Sequence, residues 1–151
     1  MTMLKDRLSY LPFELSILEG ASVPEKSYNA LRNQYESLLF LDLARQYPGD
    51  RVLGITDVDL FAEPLNFVFG QAEISGKAAV ISLSRLKGKK KIYYSRTVKE
   101  AVHELGHTFG LRHCDEETCV MHFSNCLAET DLKGEKYCAS CDKDLRRKGF
   151  S

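Results

Sequence analysis

The residues whose types and spacing point to chemistry are His103, Glu104, His107 and His113. Two histidines four positions apart on a helix stand one turn above each other, with Cβ atoms roughly 5–6 Å apart, so both imidazoles reach one metal ion. Glu104 sits beside the first of them and points to the same side. It can hold a metal-activated water without ligating the metal, which makes it the candidate general base. Gly110 permits positive φ, so the chain can leave the helix sharply and bring His113 back to the metal from another direction. Three protein ligands with one open position define a catalytic zinc site; structural sites are closed by a fourth ligand.

The run from His103 to His113 reads H-E-x-x-H-x-x-G-x-x-H and resembles the metzincin zinc peptidases. The residues that follow narrow the resemblance: Cys114 directly after the third histidine, Cys119 and Met121 in Cys-Val-Met, then Cys138-Ala-Ser-Cys141. This arrangement is similar to the archaemetzincins, the metzincin branch that carries a second, four-cysteine zinc site. The 16 residues between Met121 and Cys138 are slightly fewer than that pattern has, a difference a loop absorbs. The resemblance implies a peptidase with two Zn²⁺ per chain. One would be catalytic on His103, His107 and His113, the other structural on Cys114, Cys119, Cys138 and Cys141. It also implies that Met121 forms a turn beneath the catalytic metal, packing there without ligating it.

The cysteines carry their own argument. Two pairs of soft ligands, Cys114 with Cys119 and Cys138 with Cys141, suit a closed tetrahedral Zn²⁺ site; disulfides are the alternative reading. Because His113 and Cys114 are adjacent, they would serve different ions, so filling the thiolate site should fix the backbone that carries the third histidine. Cys126 is expected to be a free thiol, and His122 is surplus once three histidines are placed.

Several elements must position these groups. Leu11–Glu19 alternates apolar and polar residues, with Phe13, Leu15 and Ile17 on one face, and reads as a strand. From about Ser27 to Gln46, Tyr28, Leu31, Tyr35, Leu38 and Leu39 recur at helical spacing, which predicts a packing helix ended by Pro48-Gly49. Arg51–Asp57 reads as a strand, and following a helix it suggests a β-α-β unit with parallel strands. Asp57 and Asp59 at its end are expected in turn and capping roles. Phe67–Ile74 and Ala78–Leu83, joined by Ser75-Gly76-Lys77, form an antiparallel hairpin. The resemblance assigns Phe67–Glu73 the upper edge of a cleft that takes extended substrate as an added strand, with Gly70 permitting close approach.

Thr97 and Glu100 have capping-box spacing and are expected to open the helix bearing His103. Val98, Ala101, Val102, Leu105 and Phe109 make its apolar stripe. Gly106 interrupts that helix, and close approach of neighbouring chain would explain it. A short helix over about 142–148 should follow the last cysteine.

Composition bounds the rest. With 151 residues, and 21 Lys+Arg against 21 Asp+Glu, one domain with a genuine core is expected, and nothing in the charge calls for nucleic acid or a membrane surface. The five positive charges over 85–91 lack interleaved aromatics and read as a solvated loop. The first ten residues carry charges where a signal peptide needs an apolar core, so a soluble, cytoplasmic, monomeric protein is the expectation. The expected fold is α/β (α+β): a metzincin-like domain over 1–151 with a mixed sheet and one antiparallel edge. An N-terminal part over about 1–110 would hold the sheet and active-site helix, and a zinc-stapled part over about 111–151 would follow. The expected activity is hydrolysis of peptides or proteins, Glu104 taking the water proton and returning it to the leaving amine. The other reading is a zinc-dependent peptide-binding module without turnover, against which Glu104 argues.

Overall fold

The computed structural model describes residues 2–148. It is a mixed α/β structure. Its elements run α1 (Thr2–Arg7), a 3-10 turn (Glu25–Ser27), β1 (Tyr28–Asn29), β2 (Gln34–Glu36), α2 (Ser37–Arg45), β3 (Val52–Thr56), β4 (Leu60–Phe61), β5 (Gly70–Ala72), β6 (Ala78–Ser82), α3 (Lys90–Thr108), α4 (Leu127–Leu132) and α5 (Ala139–Arg147). None of the described helices is long and apolar enough to cross a membrane.

Strand β6 is the hub, and every one of its residues is buried. It pairs in parallel with β3, Val52 opposite Ala78 through Thr56 opposite Ser82, and antiparallel with β5, Gly70 opposite Ile81 through Ala72 opposite Ala79. The order β3-β6-β5 leaves β5 on an edge. Successive side chains of a strand point to opposite faces, so β6 serves two cores. Ala78 and Val80 pack with Phe40, Leu41 and Ala44 of α2, whereas Ile81 joins Val98, Ala101, Val102 and Leu105 of α3. Leu4 and Leu8 of α1, with Leu111, Val120, Met121 and Leu145, complete the second core. A smaller sheet, β1-β2-β4, is tied to the first by a bridge between Leu60 and Val68.

The hairpin, the β3 run and the apolar stripe of α3 stand where the sequence puts them, but the edge strand is shorter than Phe67–Ile74: it runs Gly70–Ala72, with Val68 only in an isolated bridge to Leu60. Other elements differ. Leu11–Glu19 forms no strand. Leu11 is buried, and Phe13 and Leu15 pack on the α3 core, but Ile17 and Leu18 are 53% and 46% exposed. Alternation here reports one-sided burial rather than pairing, so the parallel partner of β3 is β6. The helix expected from Ser27 begins only at Ser37. Ahead of it, β1 and β2 make a hairpin whose turn is set by asparagines: Asn29 Oδ1 accepts from the Arg32 amide, and Asn33 takes φ 53°. Tyr28 packs on Tyr35 across that hairpin, and Leu31 is fully exposed at its tip.

Thr97 is not a cap. Helix α3 starts two turns earlier, at Lys90, and the Thr97 hydroxyl donates to the Tyr93 carbonyl within it. The basic segment is consequently split: Lys90 and Lys91 belong to α3, while Arg85 and Lys87 pair with Asp59 and Asp57. Helix α5 begins at Ala139 rather than about 142, because Cys138 caps it by accepting from the Cys141 amide. Helices α1 and α4 have no counterpart in the sequence reading.

Gly106 explains how α3 meets the chain beyond it. A Cβ there would lie 2.6 Å from Met121 Sδ and 3.1 Å from Tyr137 Cε1. Met121 has 0% exposure, so it has little room to retreat. Alanine normally gains about 1 kcal/mol over glycine within a helix, but forcing a methyl into a packed core costs about 1–3 kcal/mol. Gly106→Ala is therefore expected to lower the stability measured by urea unfolding. A more stable variant would show that Met121 and Tyr137 are loosely held.

Candidate metal centre

On α3, Glu100, His103, Glu104 and His107 fall at i, i+3, i+4 and i+7 and so share one face, and all four are buried. His103 Nδ1 lies 2.8 Å from the Val120 carbonyl and His107 Nδ1 lies 2.7 Å from that of Leu111. A carbonyl oxygen only accepts, so each Nδ1 carries the hydrogen and donates it. Each Nε2 is then a bare lone pair, and the two face each other at 3.2 Å. Such a pair repels unless a proton or a cation lies between them. Burial holds the His103 imidazole well below its ordinary pKa, and burial lowers that of His107 too, which disfavours the proton. A ring nitrogen of His113 completes the group, all three ligand atoms lying within 4.8 Å of one another. Three convergent nitrogens without protons fit Zn²⁺.

The turn after α3 makes this possible. The Leu111 amide donates to the Gly106 carbonyl and the Gly110 amide to that of His107, a Schellman end with Gly110 at φ 92°. The same turn presents the Leu111 carbonyl to His107 and redirects the chain toward His113. The Ser75 amide, at the tip of the β5–β6 hairpin, also reaches the His107 carbonyl at 2.9 Å.

A second group forms beside the first. Cys114, Cys119, Cys138 and Cys141 bring one sulfur each within 4.8 Å of the others. Cys119 Sγ accepts from the amides of Met121 and Cys138, and Cys138 Sγ from that of Cys141. Burial pushes the Cys119 and Cys141 thiols up, while the amide donors aimed at sulfur oppose this at Cys119 and hold Cys138 down toward the thiolate, the form that binds metal; four converging sulfurs fit Zn²⁺. Met121, between the two groups, packs under Gly106. His122 stands apart, its Nδ1 2.7 Å from the Cys114 carbonyl, and Cys126 is an exposed thiol at the start of α4 outside both groups. Asp57 and Asp59 join neither group.

Glu104 lies against the edge strand. A Cβ on Gly70 would come within 2.7 Å of the Val80 carbonyl, 2.9 Å of Glu104 Cγ and 3.0 Å of Glu104 Oε1. Burial pushes the Glu104 carboxyl well above the usual range, Glu100 adds to this and Lys133 opposes it. A cavity of about 490 Å³ opens over Glu104 and the histidines, bounded on one side by 67–72 and on the other by Phe123, Ser124 and Asn125. The sequence reading missed the carbonyls of Val120 and Leu111, which no side-chain motif reveals, and Ser124 and Lys133, which line the cavity. Glu100 was read only as a cap.

An edge strand over a helix that carries two imidazoles and a buried carboxylate, with a third imidazole converging from the turn beyond it, defines the zinc metallopeptidase class. The family model for peptidase family M54 matches residues 4–147. The archaemetzincin of Methanopyrus kandleri is 48% identical over 130 residues, covering 84% of this chain and 74% of its own. That of Methanocaldococcus jannaschii is 44% identical over 141 residues, covering 89% and 78%. Among solved structures, the archaemetzincin of Archaeoglobus fulgidus complexed with malonate superposes with a TM-score of 0.85 at 41% identity over 94% of this chain and 89% of that one. The Methanopyrus kandleri structure gives 0.82 at 48% identity over 85% and 73%. The chain belongs to peptidase family M54, with the archaemetzincins, and is a zinc metallopeptidase acting on peptide or protein substrates.

The Gly70 contact yields a test. Gly70→Ala must shift β5 or Glu104, because one of the crowded atoms is backbone. Peptide hydrolysis is expected to fall about tenfold or more with zinc content unchanged. Unaltered turnover would show that the strand yields without disturbing Glu104.

Proposed function

We propose that this chain is a single catalytic domain that hydrolyses peptide bonds with one zinc on His103, His107 and His113, Glu104 as general base and acid, and a second zinc on the four cysteines as a structural clamp. What carries the reading is the pair of Nε2 lone pairs facing each other beside a buried carboxylate. A bound zinc supplies Lewis-acid chemistry there, acidifying water and polarising a peptide carbonyl. The chain supplies the rest. The Val120 and Leu111 carbonyls hold the His103 and His107 rings in the tautomer that offers Nε2. Glu104 accepts the proton of the attacking water on a carboxylate oxygen and returns it to the leaving amine, and its burial makes that carboxylate more basic. The free edge of β5 offers backbone to an extended substrate, where Gly70 lets it approach. We propose that the protein works as a cytoplasmic monomer.

The decisive experiment digests a peptide library with the zinc-loaded protein and reads the products by mass spectrometry. Glu104→Ala is expected to retain zinc and lose hydrolysis. Unchanged turnover would remove Glu104 from its role, and no cleavage by the wild type would favour a binding module.

The cysteine group is joined to the histidine group through backbone as well as through the His113–Cys114 peptide. Val120, whose carbonyl holds His103, lies between Cys119 and Met121, and the Cys114 amide donates to the Met121 carbonyl. Cys141→Ser should therefore lower thermal stability and weaken zinc affinity at the histidines about 10- to 100-fold, although residue 141 does not touch that site. His113→Ala should weaken the histidine site alone. Zinc titration of both variants checks this: wild-type affinity at the histidines in Cys141→Ser would refute the coupling.

A further inference from the structure

The cleft wall contains buried polar atoms that the proposed reaction does not use. Glu100 Oε1 and Ser124 Oγ are buried without a hydrogen-bond partner, and both residues line the cavity over Glu104. Leaving such an atom unpaired is costly, so two beside one cavity mark a place where a guest completes the bonding. Lys133 lines the same cavity and is 2% exposed. Its ammonium donates to the His122 carbonyl at 2.8 Å, which leaves two of its three hydrogens. Among the described residues no ion pair joins Lys133 to Glu100 or Glu104, although its charge acts on both.

The placement sets this group beside the reacting centre. Glu100 lies one helical turn before Glu104 on the same face of α3. Ser124 lies three residues beyond Met121, next to Phe123, whose ring centroid is 5.0 Å from that of His113. Lys133 is anchored to the same segment through His122. All three residues line the one cavity that opens over Glu104.

Charge selects the guest. Glu100 and Lys133 carry opposite charges, and together with Ser124 they offer the cavity an unused acceptor, Glu100 Oε1, and unused donors on Lys133 and the Ser124 hydroxyl. A lysine or arginine guest meets the Lys133 ammonium, an acidic guest meets the Glu100 carboxylate, and an apolar guest leaves every one of these atoms unpaired. A primary carboxamide satisfies them together: its NH₂ donates to Glu100 Oε1, and its oxygen accepts from Lys133 and the Ser124 hydroxyl. We propose that Glu100, Ser124 and Lys133 form a specificity subsite of the cleft that takes a glutamine or asparagine side chain next to the scissile bond. This rests on the peptidase reading of the same cleft.

Binding without turnover separates the two. Zinc-loaded Glu104→Ala protein is titrated calorimetrically with Ac-Ala-Ala-Xaa-Ala-Ala peptides carrying N-methylamide ends, where Xaa is Gln, Asn, Leu, Lys or Glu. The Gln or Asn peptide is expected to bind about fivefold or more tighter than the Leu, Lys and Glu peptides. Adding Glu100→Gln leaves Lys133 unbalanced and should move the preference to the Glu peptide. Adding Lys133→Met leaves Glu100 unbalanced and should move it to the Lys peptide. Zinc content and thermal stability are measured on each variant, and either charge change suffices if the other fails to fold. A Leu, Lys or Glu peptide binding the parent as tightly as Gln and Asn would overturn the proposal, as would an order that neither charge change alters. A failure of the peptidase reading would appear elsewhere, as absent hydrolysis by the wild type with the binding order intact.

Discussion

Two hydrogen bonds from imidazole to backbone organise this molecule. The Val120 and Leu111 carbonyls accept from His103 Nδ1 and His107 Nδ1, and so oblige both rings to turn bare Nε2 atoms toward each other. Without a cation that arrangement is repulsive and buried; with one it is a preformed ligand pair. The fold can be read as what is needed to bring those two carbonyls to a helix. Leu111 arrives through the Schellman turn that Gly110 permits, and Val120 arrives on the segment that the cysteines pin beneath α3. Gly106 removes the side chain that would keep Met121 and that segment away.

The two candidate metal-binding groups are joined through backbone. The cysteines lie outside the cavity lining, yet Cys119 packs with Val120 and Met121, and the chain runs on from there to Phe123 and Ser124, which line one wall. The opposite wall is β5, pressed so close to Glu104 that only glycine fits at position 70. Between them the helix face carries a carboxylate for proton transfer and, one turn earlier, a second carboxylate whose oxygen is unpaired. Burial raises both carboxyls, Glu100 to about 6, and hydrogen bonds added to so buried a floor count for more than in water.

The site was more legible than the scaffold. Histidines at i and i+4 followed by a glycine stop describe local geometry that backbone rules alone transmit, and the structure gathers the same seven candidate residues into two groups. The hairpin was legible because its turn and alternation agree. Elements failed where a periodic pattern had a second physical cause. Leu11, Phe13 and Leu15 alternate because one side of an unpaired segment is buried, and Tyr28 and Leu31 match helical spacing only by coincidence across an asparagine turn. Thr97 and Glu100 have cap spacing but sit deep inside a helix, where the hydroxyl bonds back to Tyr93 and Glu100 lines the cavity. Carbonyl partners such as those of Val120 and Leu111 depend on tertiary placement, and no residue type announces them.

In the proposed site His103 and His107 keep their Nδ1 hydrogens while both Nε2 atoms and His113 share one zinc. Long-range ¹H–¹⁵N correlation spectra of the histidine rings, recorded as zinc is added, test it directly. The Nδ1 hydrogens of His103 and His107 should persist throughout. Their Nε2 signals and one nitrogen of His113 should shift together at a single equivalent, with His122 unmoved. Loss of an Nδ1 hydrogen on His103 or His107, or a response from His122 in place of His113, would contradict it.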